Sequence, residues 1–354
     1  MENISILVKA YAKINHSLRI VGRRDDGYHL ICSHMQAVDL HDDVHVEIAA
    51  AGRTHDGRVS VEMSWQGSSA DAATGQGARK PPLPQGEGNI AHRAASLALR
   101  LWGGCAAEQG VSVRVSIAKR IPMAAGLAGG SADAAAVMLA LAKALAPGAA
   151  LADIMAAGAE VGADVPFCIA AIAKLEPSLG YADDAAAGAS FICEGIGDVL
   201  SPAPPVRGFG VLIKPAIEVS TPTAYAAWDE GDFAKPDGGQ GNDLEPVAKG
   251  LFPEIGAIMG EVEALLCGAG GESESGAGGA PESGAGGESE SEPIGEADSK
   301  SGTEPKRIFM TGSGPTIIAL YDDRASATQG YGRLSVAYKN RADVGAVIAF
   351  CLTD

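Results

Sequence analysis

KRIPMAAGLAGGSAD, residues 119–133, leads directly into an apolar segment, Ala134 to Leu145, that predicts a helix. The three glycines of the stretch allow positive φ and close backbone approach. Ser131 and Asp133 are suited to cap the free N–H groups of the helix. Those N–H groups and the helix dipole together predict an anion site, most often one for phosphate. The other interpretation of the stretch, taken alone, is a capped helix after a flexible turn.

The order of residues in this stretch excludes two common phosphate-binding motifs. A Walker A loop needs Gly-Lys-Ser/Thr, and here Gly130 is followed at once by Ser131. A dinucleotide fingerprint needs Gly-x-Gly-x-x-Gly, and the residue two places after Gly126 is Ala128.

Length and charge restrict the class of protein further. The 354 residues, 46% of them hydrophobic, are enough for a sizeable core and predict two domains with a site in the cleft between them. The net charge of −17 argues against nucleic acid or an anionic membrane surface as a partner. Polyphosphate substrates would therefore be held by local dipoles and a few well-placed cations.

The cysteines and the terminal sequence indicate a cytoplasmic protein. None of the six cysteines forms a Cys-x-x-Cys pair, so we expect reduced packing residues and no zinc site. The start, Met1-Glu2-Asn3, lacks the basic region of a signal peptide. The longest apolar run, Ala134 to Ala146, contains Lys143 and is too short to span a bilayer.

Hydrophobic periodicity and turn residues predict the main elements. Val38 to Ile48 and Val59 to Trp65 alternate as antiparallel strands would, and Ser220 to Tyr225 has the composition of a turn. Ser201 to Pro205 is typical of a domain linker. The other predicted strands are Ile4 to Val8, Ala10 to Ile20, Val111 to Ile117, Gly210 to Ile213 and Thr316 to Leu320, and the other predicted helices are Asn89 to Leu101, Leu151 to Val161 and Pro253 to Leu266.

Three polar positions each allow an ordinary and a functional interpretation. Lys13 lies early in a predicted strand, where a lysine is usually solvated. Asp164 stands two residues before Pro166, where an aspartate often forms a cap or a turn. Tyr28 and His29 are either a plain aromatic pair or a platform for a planar ring, because tyrosine offers a π-face and neutral histidine both a donor and an acceptor.

The opening stretch resembles the Pro-x-x-x-Gly-Leu-x-x-(Gly/Ser)-Ser ATP loop of the GHMP kinases, which include homoserine, mevalonate and galactose kinases. Further motifs occur in the same order as in the branch of that family that acts on a cytidine diphosphate-linked methylerythritol. The match runs from about residue 10 to 320. Its six motifs are Ala12 to Asn15, Gly27 to Leu30, Pro122 to Asp133, Gly162 to Phe167, Asn242 to Glu245 and Met310 to Gly314.

The resemblance implies phosphoryl transfer from ATP, with Mg²⁺, to an alcohol of that small-molecule substrate. Lys13 and Asp164 match the catalytic pair of the family. A carboxylate can take the proton of a poor alcohol nucleophile, and a nearby ammonium keeps that carboxylate ionised and stabilises the transferring group. The residues matched do not identify the Mg²⁺ ligands.

The resemblance also assigns the binding residues. Asn15 and Thr223 match positions that line the substrate pocket, Tyr28 and His29 match the residues that recognise the cytosine ring, and Tyr225 is a second stacking face. Ala128 and Ala132 depart from the usual glycine and serine, which removes a hydroxyl but no backbone donor. The positions that match nucleotide-binding residues are Asn89, Lys119, Pro122, Met123, Ala124, Ala125, Gly126, Leu127, Ala128, Gly129, Gly130, Ser131 and Ala132.

Two alternatives remain open at this point. One is a GHMP kinase of homoserine or mevalonate type, which has no reason to carry the Gly-Tyr-His-Leu motif near the N-terminus. The other is a non-catalytic nucleotide-binding regulator, which would be expected to lose Lys13 or Asp164.

For the fold, the resemblance implies an α+β protein of two domains with the active site in the cleft between them. The N-terminal domain, 1–204, would have a mixed sheet, and the C-terminal domain, 205–354, would be ferredoxin-like. Within the latter, 268–304 is rich in Gly, Ser and Glu and carries nine acidic residues against one lysine. Such a segment buries too little apolar surface to offset its ordering entropy, so we expect a disordered acidic insertion.

Overall fold

The computed structural model describes residues 3–50, 59–66, 81–104, 111–183, 188–231, 241–268 and 303–353. Of the expected acidic insertion, 268–304, residues 269–302 lie outside these ranges. The strands are β1 Ile4–Arg23, β2 His29–Ala50, β3 Val59–Trp65, β4 Val111–Lys119, β5 Ser190–Glu194, β6 Val199–Pro202, β7 Phe209–Pro215, β8 Arg307–Met310, β9 Ile317–Tyr321 and β10 Val344–Cys351. The α-helices are α1 Ile90–Trp102, α2 Gly129–Leu145, α3 Leu151–Val161, α4 Val165–Leu175, α5 Thr221–Glu230, α6 Leu244–Leu251, α7 Pro253–Cys267 and α8 Arg324–Ala337.

The N-terminal sheet is mixed, which confirms the expected fold class. Its strand order is β3-β4-β2-β5-β6, with β1 paired to β2. The prediction of an antiparallel strand at Val59 to Trp65 is wrong in direction, because β3 runs parallel to β4. Alternation of polar and apolar residues reports that one face of a strand is buried and carries no information on the direction of its neighbour.

The first strand is longer than predicted. The sequence predicts two strands before residue 21, whereas β1 is continuous from Ile4 to Arg23 and pairs with β2 along its whole length. Register shifts at Tyr11/Lys13 and at Asn15/Ser17 absorb the irregular alternation. Bulges of this kind re-aim side chains, and here Lys13 and Asn15 lie between the two irregularities.

Helix α2 is the buried centre of the N-terminal domain. Every residue from Ala132 to Ala142 is buried, and the many alanines let α1 and the sheet approach closely. Asn89 caps α1 as predicted, since its side chain accepts a hydrogen bond from the backbone N–H of Ala91. The capping role expected of Ser131 and Asp133 is wrong: α2 begins at Gly129 without a side-chain cap.

The C-terminal sheet has the order β10-β7-β9-β8, and all of its pairs are antiparallel. With helices between β7 and β8 and between β9 and β10, this is the β-α-β-β-α-β ferredoxin-like arrangement expected from the resemblance. The boundary near residue 204 stays a prediction; it falls between β6 of one sheet and β7 of the other. The turn predicted at Ser220 to Tyr225 is wrong, because α5 begins at Thr221.

An apolar cluster joins the two halves directly beneath the glycine-rich stretch. Ile14, Ile121 and Leu127 from the N-terminal half pack with Leu212 and Ile318 from the C-terminal sheet. The two halves therefore meet on a buried surface that fixes the base of the cleft. In the described residues no helix is long and apolar enough to cross a membrane.

Candidate active site

A cleft of about 980 Å³ lies between the two halves. At the base of the cleft, the loop of residues 122–128 contacts the turn of residues 311–315. The backbones of the two segments lie against each other at Gly126 and at Gly312. A Cβ on Gly126 (φ +72°) would lie 2.7 Å from the carbonyl oxygen of Thr311, and one on Gly312 (φ +60°) would lie 2.7 Å from that of Gly126. Glycine is needed at both positions, so the two glycine-rich motifs of the sequence form one structure.

The loop delivers an uncapped helix N-terminus to the cleft. Ala124 and Ala128 adopt left-handed conformations, with φ of 48° and 56°, which are unusual for a residue with a Cβ. Gly129, Gly130 and Ser131 line the cleft at the first turn of α2. The N–H groups of this turn lack a side-chain cap, which makes the turn suited to an anion.

Lys13 and Asp164 come together beside this loop. The ammonium Nζ of Lys13 is 3.8 Å from Asp164 Oδ2. It donates hydrogen bonds to Asn15 Oδ1 at 2.7 Å and to the Gly126 carbonyl at 3.1 Å. Lys13 is 4% exposed, whereas the Asp164 side chain is 32% exposed and faces the cleft. The pair therefore presents an accessible carboxylate next to a fixed ammonium.

Asn15 is itself fixed by the second glycine-rich motif. Its backbone N–H donates to Thr311 Oγ1 at 2.7 Å, and its side-chain amide donates to Ser33 Oγ at 2.8 Å. Asn242 supports the same turn, because its amide donates to the carbonyls of Met310 and Gly312. The motifs around residues 13, 242 and 311 are thus parts of one hydrogen-bonded base.

A second buried lysine lies on the other side of the loop. Lys119 Nζ donates to Asp133 Oδ2 at 2.7 Å and to Asp42 Oδ2. The backbone N–H groups of Arg120 and Ile121 also donate to Asp42 Oδ1. We call Asp42, Lys119 and Asp133 the Lys119 cluster. It ties β2, β4 and α2 together at the point where the glycine-rich loop begins.

The Lys119 cluster contains two carboxylates and one ammonium, all buried. Burial disfavours the charged lysine, but Asp133 and Asp42 outweigh it and raise the pKa of Lys119. Burial raises the pKa of Asp133 to about 8 against the opposing effect of Lys119. In the described part of the chain Asp133 Oδ1 has no hydrogen-bond partner, whereas Asp42 accepts from two backbone N–H groups. The ionised form of Asp133 is therefore disfavoured by its burial and its unpaired Oδ1.

Three aromatic side chains also line the cleft. Tyr28 is 61% exposed at the rim. The rings of His29 and Tyr225 stack, with centroids 4.7 Å apart and an angle of 21° between their planes. His29 Nε2 lies 2.7 Å from Asp229 Oδ1. Burial, with a contribution from the Asp164 charge, raises the pKa of Tyr225 above its usual range, so its hydroxyl stays neutral.

Most of the predicted site residues line this one cleft. Lys13, Asn15, Tyr28, His29, Asn89, Lys119, Asp164, Tyr225 and residues 122–131 all do so. Ala132 does not, because it is fully buried inside α2. Thr223 does not either: its side chain is exposed on α5, and Thr221, two residues earlier, lines the cleft and bonds Ser313 Oγ at 2.9 Å.

Sequence reasoning missed Thr221, Ser313, Asp42 and Asp229. The motif around residues 220–225 indicates the segment that reaches the cleft, but the hydroxyl that lines the cleft is that of Thr221 and not that of Thr223. Treating that segment as a helix would have corrected this, since Thr221 and Tyr225 are four residues apart and share a face. Asp42 is 77 residues from Lys119 in the chain, and no local pattern marks it.

Comparison with known proteins agrees with this geometry. The family described as "GHMP kinases N terminal domain" matches residues 89–171, which include the glycine-rich loop and Asp164. Together with the ferredoxin-like second half and the cleft between them, this match defines the class as a GHMP-type small-molecule kinase.

Individual relatives indicate a narrower family within this class. A 4-diphosphocytidyl-2-C-methyl-D-erythritol kinase of Moorella thermoacetica is 32% identical over 293 residues, which are 75% of this chain and 87% of that protein. The corresponding kinase of Acetivibrio thermocellus is 40% identical over 227 residues, 64% of each chain. A crystal structure of 4-(cytidine 5'-diphospho)-2C-methyl-D-erythritol kinase superposes with a TM-score of 0.60 at 25% identity, over 99% of this chain and 100% of that one. The chain belongs to the 4-diphosphocytidyl-2-C-methyl-D-erythritol kinase family.

Proposed function

We propose that this protein transfers the γ-phosphoryl group of ATP to the 2-hydroxyl of 4-diphosphocytidyl-2-C-methyl-D-erythritol, a step toward isoprenoid precursors. The observation that carries the proposal is the approach of Lys13 Nζ to Asp164 Oδ2, 3.8 Å, beside the uncapped N-terminus of α2. The aromatic group that lines the same cleft supports a planar base as part of the substrate.

Asp164 has the properties of the group that accepts the proton of the substrate hydroxyl. A tertiary alcohol is a poor nucleophile, and a carboxylate within hydrogen-bond reach can take its proton as the oxygen attacks phosphorus. The partial exposure of Asp164 leaves room for that contact. Lys13 is held by Asn15 and the Gly126 carbonyl, so its charge stays next to Asp164 and stabilises the charge on the transferring group.

The glycine-rich loop is the part suited to the phosphates of ATP. Its residues 122–131 present backbone N–H groups and the positive end of the α2 dipole, without a competing side-chain cap. The chain's negative net charge makes such a local device necessary. Asn89 and Lys119 border the same part of the cleft.

The described residues hold no cluster of three or more His, Cys, Asp or Glu suited to a metal ion. Mg²⁺ in phosphoryl transfer is commonly held by one or two carboxylates together with the nucleotide phosphates, and Asp164 fits that donor set. Bound with ATP, Mg²⁺ supplies neutralisation of charge on the phosphates.

The aromatic end of the cleft is the proposed cytosine site. Tyr28 is exposed at the rim and offers a free ring face for stacking, and His29 offers a ring nitrogen to the edge of the base. Tyr225 stands in the proposal as a second stacking face. His29 covers one face of the Tyr225 ring, so a base would use the other face or displace His29. Both proposed substrates carry phosphate charges and cannot cross a membrane unaided, and we propose a cytoplasmic location on that ground.

The experiment is ADP release by the purified protein with ATP, Mg²⁺ and one acceptor at a time. We expect turnover with 4-diphosphocytidyl-2-C-methyl-D-erythritol and none above background with homoserine or mevalonate. Turnover with either of the latter would contradict the substrate assignment. Binding of ATP without turnover on any acceptor would instead support a nucleotide-binding regulator.

A further inference from the structure

Four side chains form a contact between the two halves of the protein at the mouth of the cleft. Arg23 and His29 face each other in register across β1 and β2. Tyr225 and Asp229 lie four residues apart on α5, so they share one face of that helix. Asp229 bonds His29 Nε2 at 2.7 Å and pairs with Arg23 Nη1 at 3.1 Å, while Tyr225 stacks on the His29 ring. We call these four residues the His29 clamp.

The His29 clamp fixes both the orientation and the hydrogen-bonding polarity of the imidazole. The carboxylate of Asp229 can only accept, so Nε2 must carry the proton of that hydrogen bond. Arg23 already compensates the charge of Asp229, so the carboxylate does not require a charged imidazole as its partner. A neutral ring protonated at Nε2 leaves a lone pair on Nδ1. Within the described residues, Nδ1 has no hydrogen-bond partner.

An acceptor at Nδ1 distinguishes between pyrimidine bases. Cytosine carries an exocyclic amine, N4, that donates hydrogen bonds, whereas uracil carries a carbonyl oxygen at the same position. A lone pair on His29 Nδ1 can therefore pair with the cytosine amine but faces the uracil oxygen as a second acceptor. The side chain of His29 is only 9% exposed, so water cannot fully compensate for that mismatch.

We propose that Asp229 is a positioning residue that holds His29 in the Nε2-protonated form and thereby makes the cleft prefer cytosine to uracil. This inference rests on the proposed function, because it assumes that a nucleobase binds beside His29. Asp229 contacts His29 and Arg23, and among the described residues it makes no hydrogen bond or ion pair with Lys13, Asp164 or the glycine-rich loop. Its effect is confined to recognition of the base and does not extend to phosphoryl transfer.

The test measures the dissociation constants of cytidine diphosphate and uridine diphosphate by calorimetry, without any phosphoryl transfer. We expect the wild-type protein to bind cytidine diphosphate at least about tenfold more tightly, the value of one hydrogen bond made or left unmade. Asp229→Ala frees the ring to adopt either tautomer, so we expect this ratio to fall toward one. Asp229→Asn retains an acceptor oxygen, and we expect it to keep most of the preference.

Two controls separate this effect from a structural one. Glu230→Ala removes the neighbouring carboxylate on α5, and we expect it to keep the wild-type ratio. The ¹⁵N shifts of His29 report which ring nitrogen carries the proton; we expect Nδ1 to be unprotonated in the wild type and a mixture of tautomers in Asp229→Ala. The affinity of Asp229→Ala for ADP should stay unchanged, because among the described residues Asp229 makes no hydrogen bond or ion pair with the glycine-rich loop.

The outcomes distinguish the two proposals. If Asp229→Ala keeps the wild-type preference for cytidine diphosphate, or if the wild-type ring is protonated at Nδ1, the role of Asp229 is wrong while the kinase assignment stands. If Asp229→Ala weakens the binding of cytidine diphosphate, uridine diphosphate and ADP equally, Asp229 is merely structural. If the wild-type protein shows no preference for cytidine diphosphate, the proposed cytosine site itself is wrong.

Discussion

Two buried lysines lie on either side of the glycine-rich loop, and they differ in their partners. Lys13 is 4% exposed and has one carboxylate, Asp164, at 3.8 Å, with hydrogen bonds to an amide and a backbone carbonyl. Lys119 is 2% exposed and bonds directly to two fully buried carboxylates, Asp42 and Asp133. The charge of Lys119 is thus compensated inside the protein, whereas that of Lys13 extends to a carboxylate that faces the cleft.

This difference in partners predicts a catalytic role for Lys13 and a structural role for Lys119. The partner of Lys13 is accessible, so a substrate can enter between the loop and Asp164. In the Lys119 cluster, Asp42 instead accepts hydrogen bonds from the N–H groups of Arg120 and Ile121, where the loop begins. The other carboxyl group that Lys119 contacts, Asp133, belongs to α2. We therefore expect changes at the first lysine to alter turnover with little change in stability. Changes at the second should alter stability first.

The largest effect is expected for Asp164→Asn. Removing a positioned acid–base group lowers kcat by roughly 10²–10⁴. Stability should change little, because the side chain is one-third exposed and its ion pair is long. Steady-state ADP release and urea unfolding measure the two quantities. Asp153→Asn, an exposed aspartate on α3, is the control. Near wild-type kcat in Asp164→Asn would overturn its catalytic assignment.

For Lys119→Met we expect a loss of unfolding free energy that is comparable in size to the loss of transition-state stabilisation in Asp164→Asn. Removing the cation leaves the buried Asp42 carboxylate without its ammonium and the buried Asp133 carboxyl without its hydrogen-bond donor, which costs about 3–5 kcal/mol of unfolding free energy. Urea unfolding at pH 7 measures it, with Lys9→Met on the exposed side of β1 as the control. A stability close to the wild-type value, combined with a large loss of kcat, would reverse the roles of the two lysines.

A smaller effect, counted per pH unit, is expected in the pH dependence of stability. The pKa of Asp133 is raised by burial to about 8, so between pH 4 and pH 8 the folded protein holds more protons than the unfolded chain. This group therefore makes the unfolding free energy decrease as the pH rises, by at most about 1.4 kcal/mol per pH unit. Asp133→Asn should flatten that slope. An unchanged slope in the variant would show that Asp133 is ionised throughout this range.

The smallest effect is expected for the acidic segment at 268–304. Replacing residues 269–302 with a short Gly-Ser link should leave kcat unchanged. It should shift KM only modestly and only at low salt, since charge repulsion is screened beyond about 8–10 Å in physiological salt. A second variant keeps residues 269–302 at full length but has their acidic residues changed to serine. Comparing the two variants separates the effect of charge from that of length. Loss of folding or turnover after the replacement would reveal a structural or regulatory role.

The sequence predicts the identity of the motifs better than their arrangement. Asn89 caps α1 as expected, because capping is local, and the ferredoxin-like second half forms as the family resemblance implies. Lys13 and Asp164 can be selected only by resemblance, since they lie far apart in the sequence and no local pattern joins them. Their approach depends on the packing of β1 against the loop and of α4 behind it.

The incorrect predictions have physical causes. The sequence favours Asp133 as a cap of α2, but its side chain turns inward to Lys119, and the N-cap position is held by Ala128 in a left-handed conformation. Thr223 is assigned from the family resemblance, whereas in the structure this segment is helical and Thr221 lines the cleft. In each case a tertiary contact or an unrecognised helix determines which side chain faces the cleft.

The most direct test of the Lys13–Asp164 pair is the single-turnover rate of phosphoryl transfer in Lys13→Ala, Asp164→Asn and the double variant, with ATP and 4-diphosphocytidyl-2-C-methyl-D-erythritol both saturating. If the two side chains act as a unit, the double variant is within about tenfold of the slower single variant. If the two losses multiply, the residues act independently. The pair beside the glycine-rich loop would then not be the reacting unit of this protein.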